Sequence, residues 1–306
     1  MKTSRRQFIS RCVLGAAATG TSPLAPLAAR EPRPLFDGQT LSGWHAEPRL
    51  TIPPNDQRFA TVPSGQLRQA VHDAFAANPQ TARRVKNRGV WKVEDHAILG
   101  GQLPGTEAGA YLISDDTFGD FELTLEARPD FPIDTGVMVR AHALGSIGFQ
   151  VLVDHRKNGV IGGIFGNSIG NFRAYPFVVD GDEEPGFRVT KIRPGIADGP
   201  NWKPDFAATF EDFQQAWRPN AWNSLRIRCI GELPLIETWI NDTPIAKLDT
   251  AKLADRVPGY DPQAILERIG RRGHIAFEVH DNGKSGRNRW APGAVCRWRN
   301  IRIVEF

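Results

Sequence analysis

The chain has 306 residues, of which 41% are hydrophobic and 24% charged, with a formal net charge of +4. That length buries one large core or two modest ones, and the composition excludes a disordered tail, a collagen-like repeat and a disulfide miniprotein. Lys2, Arg5, Arg6 and Arg11 lie in an acid-free start, which leaves 34 bases against 34 acids in the remainder. The body is neutral and lacks the cationic surface that a nucleic-acid partner requires.

Residues 1–29 read as a twin-arginine export signal. Ser4-Arg5-Arg6-Gln7-Phe8-Ile9 is followed by a mildly apolar stretch, Cys12 to Ala18, and by Pro and Ala near residues 23–29, with cleavage expected near Ala28 or Ala29. The stretch is shorter than the roughly 20 apolar residues of a membrane helix. No later segment is long and apolar enough either, so the mature protein is expected to be periplasmic and without a span. Residues 30–306 read as one domain.

Pro32 to Pro34 form a short linker. In residues 45–88, Gln66 to Ala77 fits a helix with Leu67, Ala70, Val71, Ala74 and Phe75 on one face. From Trp91 onward the pattern is mostly period two, the mark of half-buried strands. The alternating runs are Asp120 to Arg128, Gly136 to Arg140, Phe149 to Asp154, Leu225 to Cys229, Ile236 to Ile240, Ile275 to His280 and Cys296 to Ile303. Gly159 to Gly170 is glycine-rich without a phosphate-loop Gly-Lys-Ser/Thr, and reads as a hairpin with a bulge or as a rim where backbone comes close to a ligand. Residues 180–220 read as a long loop, a lid or rim carrying Trp202, Phe206, Phe210, Phe213 and Trp217. Cys229 and Cys296 fall in strands; an oxidising compartment permits a bridge, and two small buried apolar residues are the plainer reading. Many alternating strands in a neutral body give an all-β fold, an antiparallel two-sheet sandwich with long loop insertions.

Five blocks in order carry a family resemblance. Leu35-Phe36-Asp37-Gly38-Gln39-Thr40-Leu41-Ser42-Gly43-Trp44 opens the series, and Trp91-Lys92-Val93-Glu94-Asp95-His96-Ala97-Ile98-Leu99 and Phe118-Gly119-Asp120-Phe121-Glu122-Leu123 follow. Asp134-Thr135-Gly136-Val137-Met138-Val139-Arg140 and Trp298-Arg299-Asn300-Ile301 complete it. Together they resemble the 3-keto-disaccharide hydrolase domain family. The resemblance implies a concanavalin A-like jelly roll and chemistry on oxidised sugars. Two departures stand out: the family's Gly-Tyr-Glu-Val-Gln is Gly148-Phe149-Gln150-Val151-Leu152 here, and its Leu-Gln-x-His is Phe277-Glu278-Val279-His280. A carboxylate is lost from one strand and gained on another.

Strand parity separates two faces. With Val137, Val139, Phe149, Val151, Val153, Ile275, Phe277 and Val279 in the core, Arg140, His142, Gln150, Asp154, Glu278 and His280 are expected on one concave face, with His155 at a strand end. Asp154, His155, Glu278, His280 and Arg140 are the catalytic candidates. Gln150, His142, Asn167 and the loop-borne Trp202 and Trp290 are the candidates for substrate contact, since indole rings cover sugar C–H faces. No cofactor is expected. A divalent cation on His155, Glu278 and His280 is the rival use of those side chains, although no His-x-x-x-His spacing supports it.

A ketone at C3 acidifies the hydrogen at C2 and leaves the C1 substituent β to the carbonyl. Removal of the C2 proton, loss of the C1 group and hydration would cleave the glycosidic bond of a 3-keto-glycoside or 3-keto-disaccharide. The site needs a base and a donor for the enolate; Asp154, His155, Glu278 or His280 would serve as base and Arg140 as donor. Direct hydrolysis with Asp154 and Glu278 as the carboxylate pair is the variant. A lectin-like, non-catalytic carbohydrate-binding module is the alternative from another class. The leader gives the first test: changing Arg5 and Arg6 to Lys is expected to leave precursor in the cytoplasm, as read by fractionation and immunoblotting, and an unchanged periplasmic yield would reject the twin-arginine reading.

Overall fold

The computed structural model describes residues 31–54, 56–182, 188–193, 203–283 and 289–306. The leader and Trp202 lie outside them. The architecture is two packed antiparallel sheets, the all-β sandwich that the alternation leads one to expect. One sheet runs Phe206–Ala207, Thr243–Asp249, Leu235–Ile240, Asn223–Ile230, Phe121–Pro129, Val295–Glu305, Ala97–Gly101 and Val90–Glu94, with Arg33–Pro34 also paired to Val295–Glu305. The other runs Arg173–Ala174, Ile161–Asn167, Gly148–Val153, Gly136–Ala141, His274–Val279, Ala110–Ser114 and Trp44–Pro48.

Period-two alternation dictates which side chains meet between the sheets. Val137, Val139, Phe149, Val151, Val153, Ile275, Phe277 and Val279 from the seven-stranded sheet join Phe121, Leu123, Leu125, Leu225, Ile227 and Trp298 from the other in one core. Phe277 is stacked on both Trp44 (5.2 Å between centroids) and Trp298 (4.8 Å), so three aromatic rings tie the two layers together. Trp91 lies against Trp298 at 5.9 Å. Cys229 and Cys296 are both buried and unpaired, the plainer of the two readings.

The helix expected at Gln66 to Ala77 spans Ser64–Ala77, with Leu67 and Val71 buried and Ala70, Ala74 and Phe75 packed against the core. The 180–220 region departs from its reading as a bare loop. Val178–Asp182 pairs with Arg188–Arg193 as a hairpin, and Phe210–Ala216 is a helix closed by a Thr209/Asp212 capping box. Phe213 and Trp217 are core residues rather than a rim, because the helix lays them against Phe177 and His155. The glycine-rich segment forms strand Ile161–Asn167, with a register shift at Val151/Val153.

Gly100 sits where two indoles converge. A Cβ there would lie 2.3 Å from Cζ3 of Trp91 and 2.8 Å from Cζ3 of Trp298. Neither ring can withdraw without breaking the aromatic stack. Gly100→Ala is therefore expected to destabilise the fold by about 1–3 kcal/mol, the usual cost of overpacking, seen as a lower denaturant midpoint at unchanged slope.

Candidate functional site

The outer face of the seven-stranded sheet, opposite the core, carries a buried charged cluster. Its centre is Glu278, which the register sets beside Tyr111, itself beside Glu47 on the edge strand. Glu278 is fully buried and takes three donors. Arg49 Nε donates to Oε1 at 2.6 Å, Tyr111 Oη donates to the same oxygen at 3.1 Å, and Gln150 Nε2 donates to Oε2. Gln150 reaches Glu278 across the intervening strand because Gly136 has no side chain. A Cβ there would meet the Val151 carbonyl at 2.7 Å and Gln150 Nε2 at 2.8 Å. Burial pushes the Glu278 carboxyl up while Arg49 pulls it down.

The network spreads from Glu278 to both sides. Arg49 also donates to Asp281 Oδ1, and Arg84 Nη2 donates to Asp281 Oδ2 at 2.8 Å. Both arginines belong to residues 45–88, so this segment closes one end of the site. Asp134 Oδ2 accepts from Arg289 Nη1 at 2.6 Å and from Arg156 Nη2 at 3.2 Å. Arg156 in turn forks onto Asp154, with Nε to Oδ1 at 2.8 Å and Nη2 to Oδ2 at 2.7 Å. Burial and the neighbouring Asp134 push the Asp154 carboxyl up to about 7, against the pull of Arg156. His280 joins the two halves. Its Nδ1 donates to the Asp281 carbonyl at 2.7 Å, which leaves Nε2 to accept from Arg49 Nη2 at 3.1 Å and Arg289 Nη1 at 3.5 Å. Burial and the two guanidinium charges hold this imidazole well below its ordinary pKa, in the neutral form.

Gln150, Asp154, Glu278 and His280 thus come together as strand parity requires. Arg140 does not share that face. It adopts a positive φ of 50° beside a bulge, and its guanidinium turns to Asp120, the Gly231 carbonyl and the Arg271 carbonyl. It therefore ties strand ends of the two sheets and cannot hold an enolate near Glu278. His142 accepts from Leu144 N at Nδ1 and donates to the Ser64 carbonyl from Nε2, which anchors the start of the Ser64–Ala77 helix. His155 packs against Phe131 and Trp217 and donates to the Asp130 carbonyl at 3.0 Å. It is a core histidine, so the trio His155, Glu278 and His280 does not converge on a cation. Among the described residues no group of three or more metal-ligating side chains is placed to hold a metal. Trp290 is buried and donates to the Ala294 carbonyl, so its ring offers no sugar platform. Asn167 is buried on its strand with Nδ2 unpartnered.

Sequence reasoning missed Arg49, Arg84, Tyr111, Asp134, Arg156, Asp281 and Arg289. Parity could have found Tyr111, since Leu112 is core, and Asp134 opens a quoted motif. The arginines carry no local signal. Two surface hollows among the described residues, about 210 and 340 Å³, are lined by residues such as Arg33, Gly43 and Asp116 or Asp37, His96 and Asn300, and neither includes a member of the cluster.

The sequence profile of one family, described as a 3-keto-alpha-glucoside-1,2-lyase-like domain, matches residues 31–304. The chain belongs to that family. No curated protein matches it. Solved structures that resemble this 3-keto-alpha-glucoside-1,2-lyase-like domain include a beta-1,3-glucanase from Mycobacterium marinum, 10% identical over 90% of this chain and 98% of that one, with a TM-score of 0.43. A lichenase derived from a mouse hindgut metagenome is 10% identical over 70% and 82%, with a TM-score of 0.37. A carbohydrate-binding module from Bacillus subtilis is 11% identical over 71% and 92%, with a TM-score of 0.39. Family membership indicates a carbohydrate-directed function, glycoside-hydrolase-like or carbohydrate-binding.

His155 supplies a pH test of this domain's stability. Burial lowers its pKa from 6.5 to about 4. The unfolded chain therefore binds a proton between these values that the folded chain refuses, and stability falls as pH drops from about 6.5 to about 4. The loss attributable to this ring is on the order of 3 kcal/mol. His155→Gln, which can still donate to the Asp130 carbonyl, is expected to flatten that part of the stability–pH curve measured by urea unfolding.

Proposed function

We propose that the protein cleaves the glycosidic bond of 3-keto-glycosides by removing the C2 proton, expelling the C1 substituent and hydrating the product. The observation that carries this reading is the cluster of four carboxylates, buried Asp134, Asp154 and Glu278 and half-buried Asp281, interleaved with Arg49, Arg84, Arg156 and Arg289 around a neutral His280. Proton abstraction beside a ketone needs a carboxylate or imidazole as base and fixed positive charge where the enolate oxygen develops. Arg49 and Arg289 stand in the place the sequence reading gave to Arg140. Guanidiniums already held by carboxylates need little reorganisation as charge develops.

Elimination fits the cluster better than direct hydrolysis. Asp154 and Glu278, the pair hydrolysis would use, both have their two oxygens engaged by internal donors. Neither offers an oxygen to water without first releasing an arginine or an amide. The base-and-guanidinium route calls for no cofactor, although a divalent cation would be an alternative holder of the enolate. The leader supports action in the periplasm after export, with residues 30–306 working as one domain.

The test is incubation of the purified protein with α- and β-anomers of a 3-keto-glucoside beside the parent glucosides, with and without chelator. Release of the alcohol from a keto substrate alone, insensitive to chelator, is expected. Binding of sugar with no release from any substrate would instead establish a carbohydrate-binding module.

A further inference from the structure

The basic lone pairs of the cluster can be audited atom by atom, because buried polar atoms are nearly always partnered. Glu278 Oε1 is taken by Arg49 and Tyr111, and Oε2 by Gln150. Asp281 gives one oxygen to Arg49 and the other to Arg84. Both oxygens of Asp154 are held by Arg156. His280 Nε2 accepts from Arg49 and Arg289. Asp134 Oδ2 accepts from Arg156 and Arg289. What remains is Asp134 Oδ1. It is buried, has no hydrogen-bond partner, and is the sole carboxylate oxygen in that condition among the described residues.

Its position is fixed from several directions. Asp134 N donates to the Arg289 carbonyl at 2.7 Å. The next residue, Thr135, donates its hydroxyl to the Glu278 carbonyl at 2.6 Å and accepts from Val153 N at 2.9 Å. Asp134 is thus locked between the Glu278 strand and the Asp154 strand end. Its side chain is 4% exposed, while that of Arg289 on its Oδ2 is 35% exposed. The arginine on its other oxygen thus extends from the buried carboxylate toward solvent.

We infer that Asp134 is the general base of the reaction proposed above, receiving the C2 proton of the keto sugar at Oδ1. The inference rests on that reading. The C2–H bond breaks, its electron pair forms the C2=C3 bond of the enolate, and the proton goes to Oδ1. Arg289 and Arg156, on the other oxygen, orient the carboxylate and set positive charge close to the developing C3 oxyanion. When the C3 carbonyl re-forms, the electron pair makes the C1=C2 bond and the C1–O bond breaks. The departing oxygen takes the proton held at Oδ1 and leaves as the alcohol, which returns Asp134 to the carboxylate. Water then adds across C1=C2, placing a solvent hydrogen on C2. Asp154 and Glu278 act as positioning residues that hold Arg156 and Arg49.

The experiment follows wild type, Asp134→Asn and Asp134→Ala on the 3-keto-glucosides in deuterium oxide, by NMR of the released sugar. Wild type is expected to release sugar carrying deuterium at C2. Asp134→Asn is expected to lose about 10²–10⁴ in kcat with KM changed by no more than about threefold. Formate is expected to restore part of the turnover of Asp134→Ala by entering the space of the missing carboxylate. Asp134→Asn turning over within about threefold of wild type, with deuterium still entering C2, would overturn the assignment and leave the elimination reading standing. A loss that formate does not relieve would assign Asp134 to holding the arginines, again overturning it as base. Wild type that releases no sugar, or sugar without deuterium at C2, would instead refute the elimination reading and this inference with it.

Discussion

Burying Glu278 is the constraint on which the candidate site depends. A carboxylate removed from water must be matched by donors or it neutralises or unfolds its surroundings. Here an amide, a phenol and a guanidinium converge on its two oxygens. Each donor imposes a further requirement. Arg49 needs Asp281 for its second nitrogen, and Asp281 draws in Arg84 from the segment that closes that end of the sheet. Gln150 needs a glycine at 136 to cross its neighbour.

Charge balance gives the cluster its chemical character. Four acids and four arginines share the outer face, so net charge is small while local fields are strong. Burial, reinforced by the arginines, keeps His280 from taking a proton, which converts an ordinary histidine into a neutral acceptor. Asp154, buried and beside a second carboxylate, is pushed the opposite way. Breaking a buried pair such as Arg49–Glu278 would leave an uncompensated charge, which costs far more than an exposed pair contributes. The cluster is therefore expected to behave as a unit, with effects of single substitutions that do not add.

Arg140 and His155 show where one-dimensional reasoning misplaces a side chain. Parity assigns Arg140 to the outer face only if the strand continues regularly. A bulge opposite His274 and Ala276 and a positive φ rotate it toward Asp120 and Gly231. His155 lies two residues beyond the end of its strand, and its ring turns into the core beside Phe131 and Trp217. In both cases the register shift lies in the partner strand or at the strand end, beyond the reach of a local pattern.

What the sequence determined by itself is the sandwich and the grouping of Gln150, Asp154, Glu278 and His280, because a period of two is a local property of the chain and fixes faces wherever the strand stays regular. The five ordered blocks also point to the family whose profile matches residues 31–304. Only the tertiary structure decided the rest of the site. Arg49, Arg84, Arg156 and Arg289 approach from turns and inserted segments, and a long flexible side chain on a loop shows in sequence neither its direction nor its partner. The unpartnered oxygen of Asp134 is a fact about every neighbour at once, and it appears only after each donor around it has been placed.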